Sequence, residues 1–236
     1  NFAIDLSPLR KSRDFSLLWA AGLISYFGSM ITYVAVPFQI KELTGSYVAV
    51  AISGLVEIVP LVIFGLYGGV LADALDRKKL IWVTELLSLL FTAILLINSM
   101  MDSPSLLLIY IVSGLFAATS GLRQPAMQAA LPRLVDHEDM TAAAALMSLR
   151  WQIGVIVGPA IGGILISTYS VAVGYAADIA TFIISIALIA FMKKIPPSHE
   201  AEAPSLSALI DGVKYAFSRK DLLGTYLIDL AAMFFA

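Results

Sequence analysis

Five ionisable side chains lie inside otherwise apolar stretches of this chain: Glu57, Glu85, Arg123, Arg150 and Asp178. A charge surrounded by hydrocarbon is costly to hold, so such a residue either pairs with an opposite charge or helps to move an ion, a proton or a charged ligand. At about 1.5 Å per helical residue, Glu57 and Arg150 fall near the middle of their stretches, whereas Arg123, about eight residues from one end, and Glu85, about five, share the leaflet on that side. Burial and a neighbouring arginine pull a carboxyl group's affinity for its proton in opposite directions. Glu57 is therefore the first candidate for a proton carrier, and a fixed Glu57 to Arg150 ion pair that only holds helices together is the competing reading. Arg123 and Arg150 are cavity candidates, since an arginine lining a cavity attracts an anionic or catecholate-like molecule. Tyr26, Tyr33, Met127, Met147 and Trp151 would supply an adaptable apolar wall, although each is equally at home in a packed core or against lipid.

The elements that hold these residues are apolar and long. The chain is 59% hydrophobic and 14% charged, with a mean hydropathy of +0.89, whereas soluble domains are nearer half apolar and a quarter charged. Phe15 to Ile40 contains no charge, and Tyr47 to Ala72, Leu80 to Met101, Pro104 to Leu131, Met140 to Tyr169 and Val171 to Met192 are each long enough to cross a bilayer core of about 30 Å. Ser103 is the expected cap of the fourth of these. Residues 1–14 form a polar and basic leader, 15–193 a six-helix transmembrane domain, and 194–221 a polar linker in which Leu206, Leu209, Ile210, Val213 and Phe217 recur at the spacing of an amphipathic surface helix. Residues 222–236 begin a seventh span but supply about 15 apolar residues where about 20 are needed, so the chain is read as a fragment lacking a C-terminal half. Basic residues set the orientation. Arg10, Lys11, Arg13, Arg77, Lys78, Lys79, Arg133, Lys193, Lys194, Lys214, Arg219 and Lys220 fall on one side and only Lys41 on the other, which places the N-terminus in the cytoplasm.

Two clusters punctuate the spans. Gly68 to Leu80 reverses the chain between spans two and three, packing Asp73, Asp76, Arg77, Lys78 and Lys79 into one short turn. Asp73, at the C-terminal end of its helix, needs a cation or another helix's N-terminus nearby, and Arg77 is the local candidate. In span five, Gly154, Gly158 and Gly162 fall on one helix face that admits a close neighbour, with Pro159 and Gly163 beside them.

The first cluster resembles motif A of the major facilitator superfamily, G-x-L-A-D-R-x-G-R-K. Gly69, Leu71, Ala72, Asp73, Arg77 and Lys78 match in place, Ala74 replaces a basic residue, and Asp76 replaces a glycine as one of the few residues tolerant of a left-handed turn. The second is similar to motif C, G-x-x-x-G-P-x-x-G-G, the antiporter motif of proton-coupled exporters, with Ala145 in place of an upstream glycine. The stretches 35–40, 68–79 and 104–110 resemble the branch of enterobactin exporters and macrolide-efflux proteins. The resemblance implies an all-α membrane protein, the six-helix N-terminal bundle of a 12-helix fold built as a 3+3 inverted repeat, with the start of helix 7. It further implies that Asp73 braces the two halves, that a basic residue of the turn pairs with Asp136, Glu138 or Asp139, and that the first, second, fourth and fifth helices face the substrate. Glu85 and Asp178, on peripheral helices three and six, are then read as structural pairs or as groups exposed near a membrane surface.

The implied function is proton-coupled efflux of small amphiphilic molecules, drug-like or siderophore-like, by alternating access across the plasma membrane. Its partners would be the lipid bilayer, protons, the small-molecule substrate and the missing half. An importer or facilitator of the same fold, or a non-transporting scaffold or sensor, are the alternatives. No H-E-x-x-H, G-x-S-x-G or Walker A pattern points to an enzyme. With no cysteine and only the distant His137 and His199, no metal or cofactor is expected. A net charge of -2 argues against a nucleic-acid partner.

Overall fold

A computed structural model of the chain describes residues 5–197. The proposed linker helix and the start of a seventh span lie outside the described residues. A short helix, α1 (Ser7–Lys11), leads into α2 (Arg13–Thr44), α3 (Tyr47–Ala74), α4 (Arg77–Ser99), α5 (Leu106–Leu134), α6 (Met140–Thr168) and α7 (Val171–Ala190). The last six are long and apolar enough to cross a membrane. No strand occurs among the described residues.

Local chemistry accounts for where the helices start. Ser12, Ser46, Asp76, Ser105 and Ser170 each accept a hydrogen bond from a backbone N–H in the first turn, at α2, α3, α4, α5 and α7. This satisfies donors that a helix leaves unpaired at its N-terminus. The cap of the fourth span is thus Ser105 and not Ser103, because Asn98 folds over the turn, accepting from the Ser105 N–H at 2.9 Å. α2 stops at Gly45, whose φ of 66° places it in the left-handed region that a glycine enters without strain. The substituted Asp76 is different from expectation: its φ is −61°, so it occupies no left-handed turn and acts as an N-cap instead.

Packing follows a symmetric plan. α3 packs chiefly on α5, α2 on α6 and on α7, and α4 on α5 and on α7. Exchanging spans one with four, two with five and three with six returns this same set of pairs, the pattern expected of two three-helix repeats. Two apolar clusters close the ends of the bundle, one around Leu18, Ile81, Ala126 and Ile189, the other around Ile40, Leu95, Ile109 and Tyr175. Between them runs a belt of buried polar residues including Ser25, Thr32, Glu85, Ser88, Thr92, Thr119 and Asp178. α3 is the least buried span, showing Leu55, Ile58 and Val62 on its outer face, as expected for a helix bordered by lipid or by further protein.

Candidate functional site

A cavity of about 550 Å³ opens along α2, α3 and α5, lined by Tyr26, Thr32, Tyr33, Glu57, Ser113, Arg123 and Trp151 among others. A second, of about 450 Å³, adjoins it towards the basic side of the bundle and adds Gly22, Met127, Met147 and Arg150. Tyr26, Arg123, Gln124 and Trp151 belong to both. The α2, α3, α5 and α6 face therefore gathers all five apolar wall candidates and the three charge candidates into one continuous region. Tyr33 and Trp151 are among its exposed members, and Met127 is buried.

The charges are partnered differently from expectation. Glu57 and Arg150 make no ion pair: Glu57 lines the first cavity and Arg150 the second. The buried pair is instead Arg123 to Glu85, Nη1 to Oε1 at 2.7 Å, with Glu85 1% exposed and Ser25 Oγ donating to the same Oε1 at 3.0 Å. Glu85 is thus the structural pair foreseen for it, yet its partner is a cavity residue. Arg150 lies over Gly22, where a Cβ would collide with its guanidinium, and its Nε and Nη1 are buried with no acceptor among the described residues. Asp178 is neither ion-paired among the described residues nor exposed. It is fully buried and held by the hydroxyls of Thr32, Thr92 and Thr181.

At the 75–76 reversal, the cations bind the end of α7 and the chain beyond it. Buried Arg77 donates to Pro196 O at 2.6 Å and its N–H to Ile195 O at 3.0 Å. Lys78 donates to Ala190 O at 2.9 Å and also to Met192 O. The Lys78 acceptors lie at the C-terminal end of α7, where carbonyls are left unpaired and positive charge is favoured. Arg77 therefore does not pair with Asp73, which is exposed and has no partner among the described residues. The foreseen link from the turn to Asp136, Glu138 or Asp139 is also absent. Asp139 accepts Lys11 Nζ at 2.8 Å and so ties α1 to the start of α6.

The α6 glycines form a seat for α2. A Cβ at Gly154 would strike the Tyr26 ring, one at Gly158 would strike Met30, and one at Gly162 would come 3.1 Å from Ile31 Cα. Gly163 and Gly69 meet nothing within 4 Å, so neither is required by packing among the described residues. Gly68 and Gly121 do the same service between α3 and α5, where an added Cβ would lie 2.9 Å from Gly121 O and 2.8 Å from Leu61 O respectively.

The sequence profile described as transmembrane secretion effector, of the major facilitator superfamily, matches residues 3–236. The chain belongs to this family. Among its relatives, the enterobactin exporter EntS of Shigella boydii serotype 18 is 33% identical over 91% of the chain and 52% of its own length. EntS of Escherichia coli O1:K1 is 32% identical over the same shares. The chain spans about half the length of the curated relatives it matches. A solved peptide transporter, POT, in complex with sulfate, superposes with a TM-score of 0.64 over 93% of this chain and 45% of its own, at 11% identity, which shows the shared fold. This member of the family is thus a multi-pass membrane protein, with no strand among its described residues. Its Glu85 to Arg123 pair was half visible in the sequence, as two opposite charges in one leaflet. The hydroxyl set around Asp178 left no such trace, because threonines are ordinary in apolar helices.

Proposed function

We propose that this chain forms the N-terminal half of a secondary transporter that exports small amphiphilic molecules by alternating access, driven by protons, with its basic side in the cytoplasm. The observation that carries the reading is the cavity along α2, α3, α5 and α6, which combines an aromatic and thioether wall with an unneutralised Arg150 and a half-buried Glu57. Such a site suits a ligand with an apolar body and a polar or anionic group. Glu57 has no ion-pair partner among the described residues, which leaves its carboxyl free to exchange a proton with the cavity. Asp73, exposed at the end of α3, would brace a C-terminal half, and the α6 glycine stripe would let α2 and α6 move as closely packed neighbours.

The test is a screen of amphiphilic compounds with full-length protein in proteoliposomes under an imposed pH gradient. Uphill transport is expected in wild type. Glu57→Gln is expected to abolish it while ligand binding stays measurable; unchanged uphill transport in that variant removes Glu57 as the carrier. Downhill movement alone in wild type favours a facilitator.

A further inference from the structure

Asp178 is the one fully buried carboxyl in the described bundle without a cation in contact. Its Oδ2 accepts from Thr32 Oγ1 of α2 and from Thr92 Oγ1 of α4 at 3.3 Å. Its Oδ1 is 3.3 Å from Thr181 Oγ1, a hydroxyl that also reaches the Asp178 carbonyl at 2.7 Å. Thr181 has a single proton to share between those two acceptors. Gly28 of α2 closes the remaining side, since a Cβ there would come 2.6 Å from Asp178 Oδ1. The charge that reaches the site is that of Glu85 of α4, and the charge of Asp178 in turn reaches Tyr175 of α7. Glu85 is held by Arg123 of α5, and the Tyr175 hydroxyl donates to Gln39 at 2.8 Å. From α2, the Thr32 hydroxyl and Gly28 meet it.

Hydroxyl partners differ in kind from an arginine. A guanidinium satisfies only the carboxylate, whereas a hydroxyl donates to a carboxylate or accepts from a carboxylic acid. The same three threonines therefore serve Asp178 in either protonation state. Access is short as well: Thr32 lines the substrate cavity and bonds Asp178 with the same side chain. We infer that Asp178 is a proton-binding site, exchanging its proton with the substrate cavity through the Thr32 hydroxyl. In the step, a hydronium ion in the cavity donates a proton to Thr32 Oγ1 as the original Thr32 proton passes to Asp178 Oδ2. One O–H bond of the hydronium breaks and leaves water, one O–H bond breaks and one forms at Oγ1, one forms at Oδ2, and the carboxylate becomes a neutral acid. The inference rests on the proton-driven reading for its use in transport, and on geometry alone for the site.

The experiment is infrared difference spectroscopy of full-length protein in lipid vesicles, in a Glu57→Gln background, on transfer from H2O to D2O. A carboxylic-acid C=O band is expected that shifts on deuteration and is lost in Asp178→Asn. Thr32→Val should keep the band but slow its shift by about tenfold or more, and Thr32→Ser should restore the wild-type rate. No Asp178-dependent band, or deuteration in Thr32→Val at the wild-type rate, overturns the inference. If Asp178→Asn does not fold, the Thr32→Val and Thr32→Ser pair decides, because both retain the carboxyl. An Asp178 band whose deuteration depends on Thr32, together with no gradient-driven transport by the protein with Glu57 intact, would overturn the proton-driven reading and leave the site standing.

Discussion

Glu85 and Asp178 are the same feature built twice with different partners. Glu85 is the ninth residue of α4 and Asp178 the eighth of α7, the third helices of the two repeats. Each reaches across to the first helix of the other repeat, Glu85 to α5 and Asp178 to α2. Arg123 meets one acid; Thr32, with Thr92 and Thr181, meets the other. A buried carboxylate facing a guanidinium at 2.7 Å is tied to its partner, because removing either charge strands the other in a poorly solvating interior. A buried carboxyl among hydroxyls has no such constraint. Symmetry of the backbone thus carries over to the position of the acids but not to their chemistry, and the asymmetry separates a strut from a site able to take up and release a proton.

The largest effect should come from breaking the strut. Arg123→Leu is expected to destabilise the bundle by about 3–5 kcal/mol, the usual cost of leaving one partner of a buried pair unmatched. Pairing it with Glu85→Leu should recover most of that loss, and thermal unfolding of the purified variants would show whether it does. If the single variant melts like wild type, the pair is not the strut described.

Next in size are the glycines of the repeat-related interfaces. Gly158→Ala pushes a Cβ into Met30 and is expected to cost about 1–3 kcal/mol as an overpacking change. Gly163→Ala, with open space around it, should leave the melting temperature unchanged. Equal effects from the two would remove the seat assigned to α2.

Thr92→Val takes one hydroxyl from Asp178 and should cost about 1 kcal/mol, the typical net value of one hydrogen bond. A much larger loss in the same unfolding assay would mean that Asp178 is held as a full charge, and the contrast with Glu85 would narrow.

The smallest effect concerns the tie between α1 and α6. The Asp139 carboxylate hydrogen-bonded to Lys11 raises the lysine above its ordinary value of 10.5. Since the folded-state value is the higher one, this tie is fully present below that ordinary value and is lost as pH rises through the raised one. Lys11→Met should release α1 to limited proteolysis at neutral pH, as wild type should be released only in strong alkali. High salt should narrow the difference, because the lysine side chain is 59% exposed.

Much of this protein was legible without coordinates. The six spans, the turn at 68–80, the basic side and the glycine stripe at 154, 158 and 162 all rest on local properties, namely run length, charge and a 3.6-residue period. The helix ends moved only by a few residues, set by caps such as Ser12 and Ser105. Reading failed wherever a side chain chose between partners on different helices. Arg77 is adjacent to Asp76 and four residues from Asp73 in sequence, yet it turns to Pro196. Arg123 takes Glu85, Asp139 takes Lys11, and Arg150 takes no acid at all among the described residues.

Hydropathy determined by itself that the chain crosses a membrane, how often, and at what depth each buried charge sits, because these follow from the count of residues along one helix. Which charges meet was decided by the tertiary structure alone. Depth sets only one coordinate; the rotation of each helix about its axis, fixed by where Gly28, Gly68, Gly121 and Gly158 let neighbours approach, supplies the other. That rotation places Arg123 against Glu85 and leaves Asp178 among three threonines.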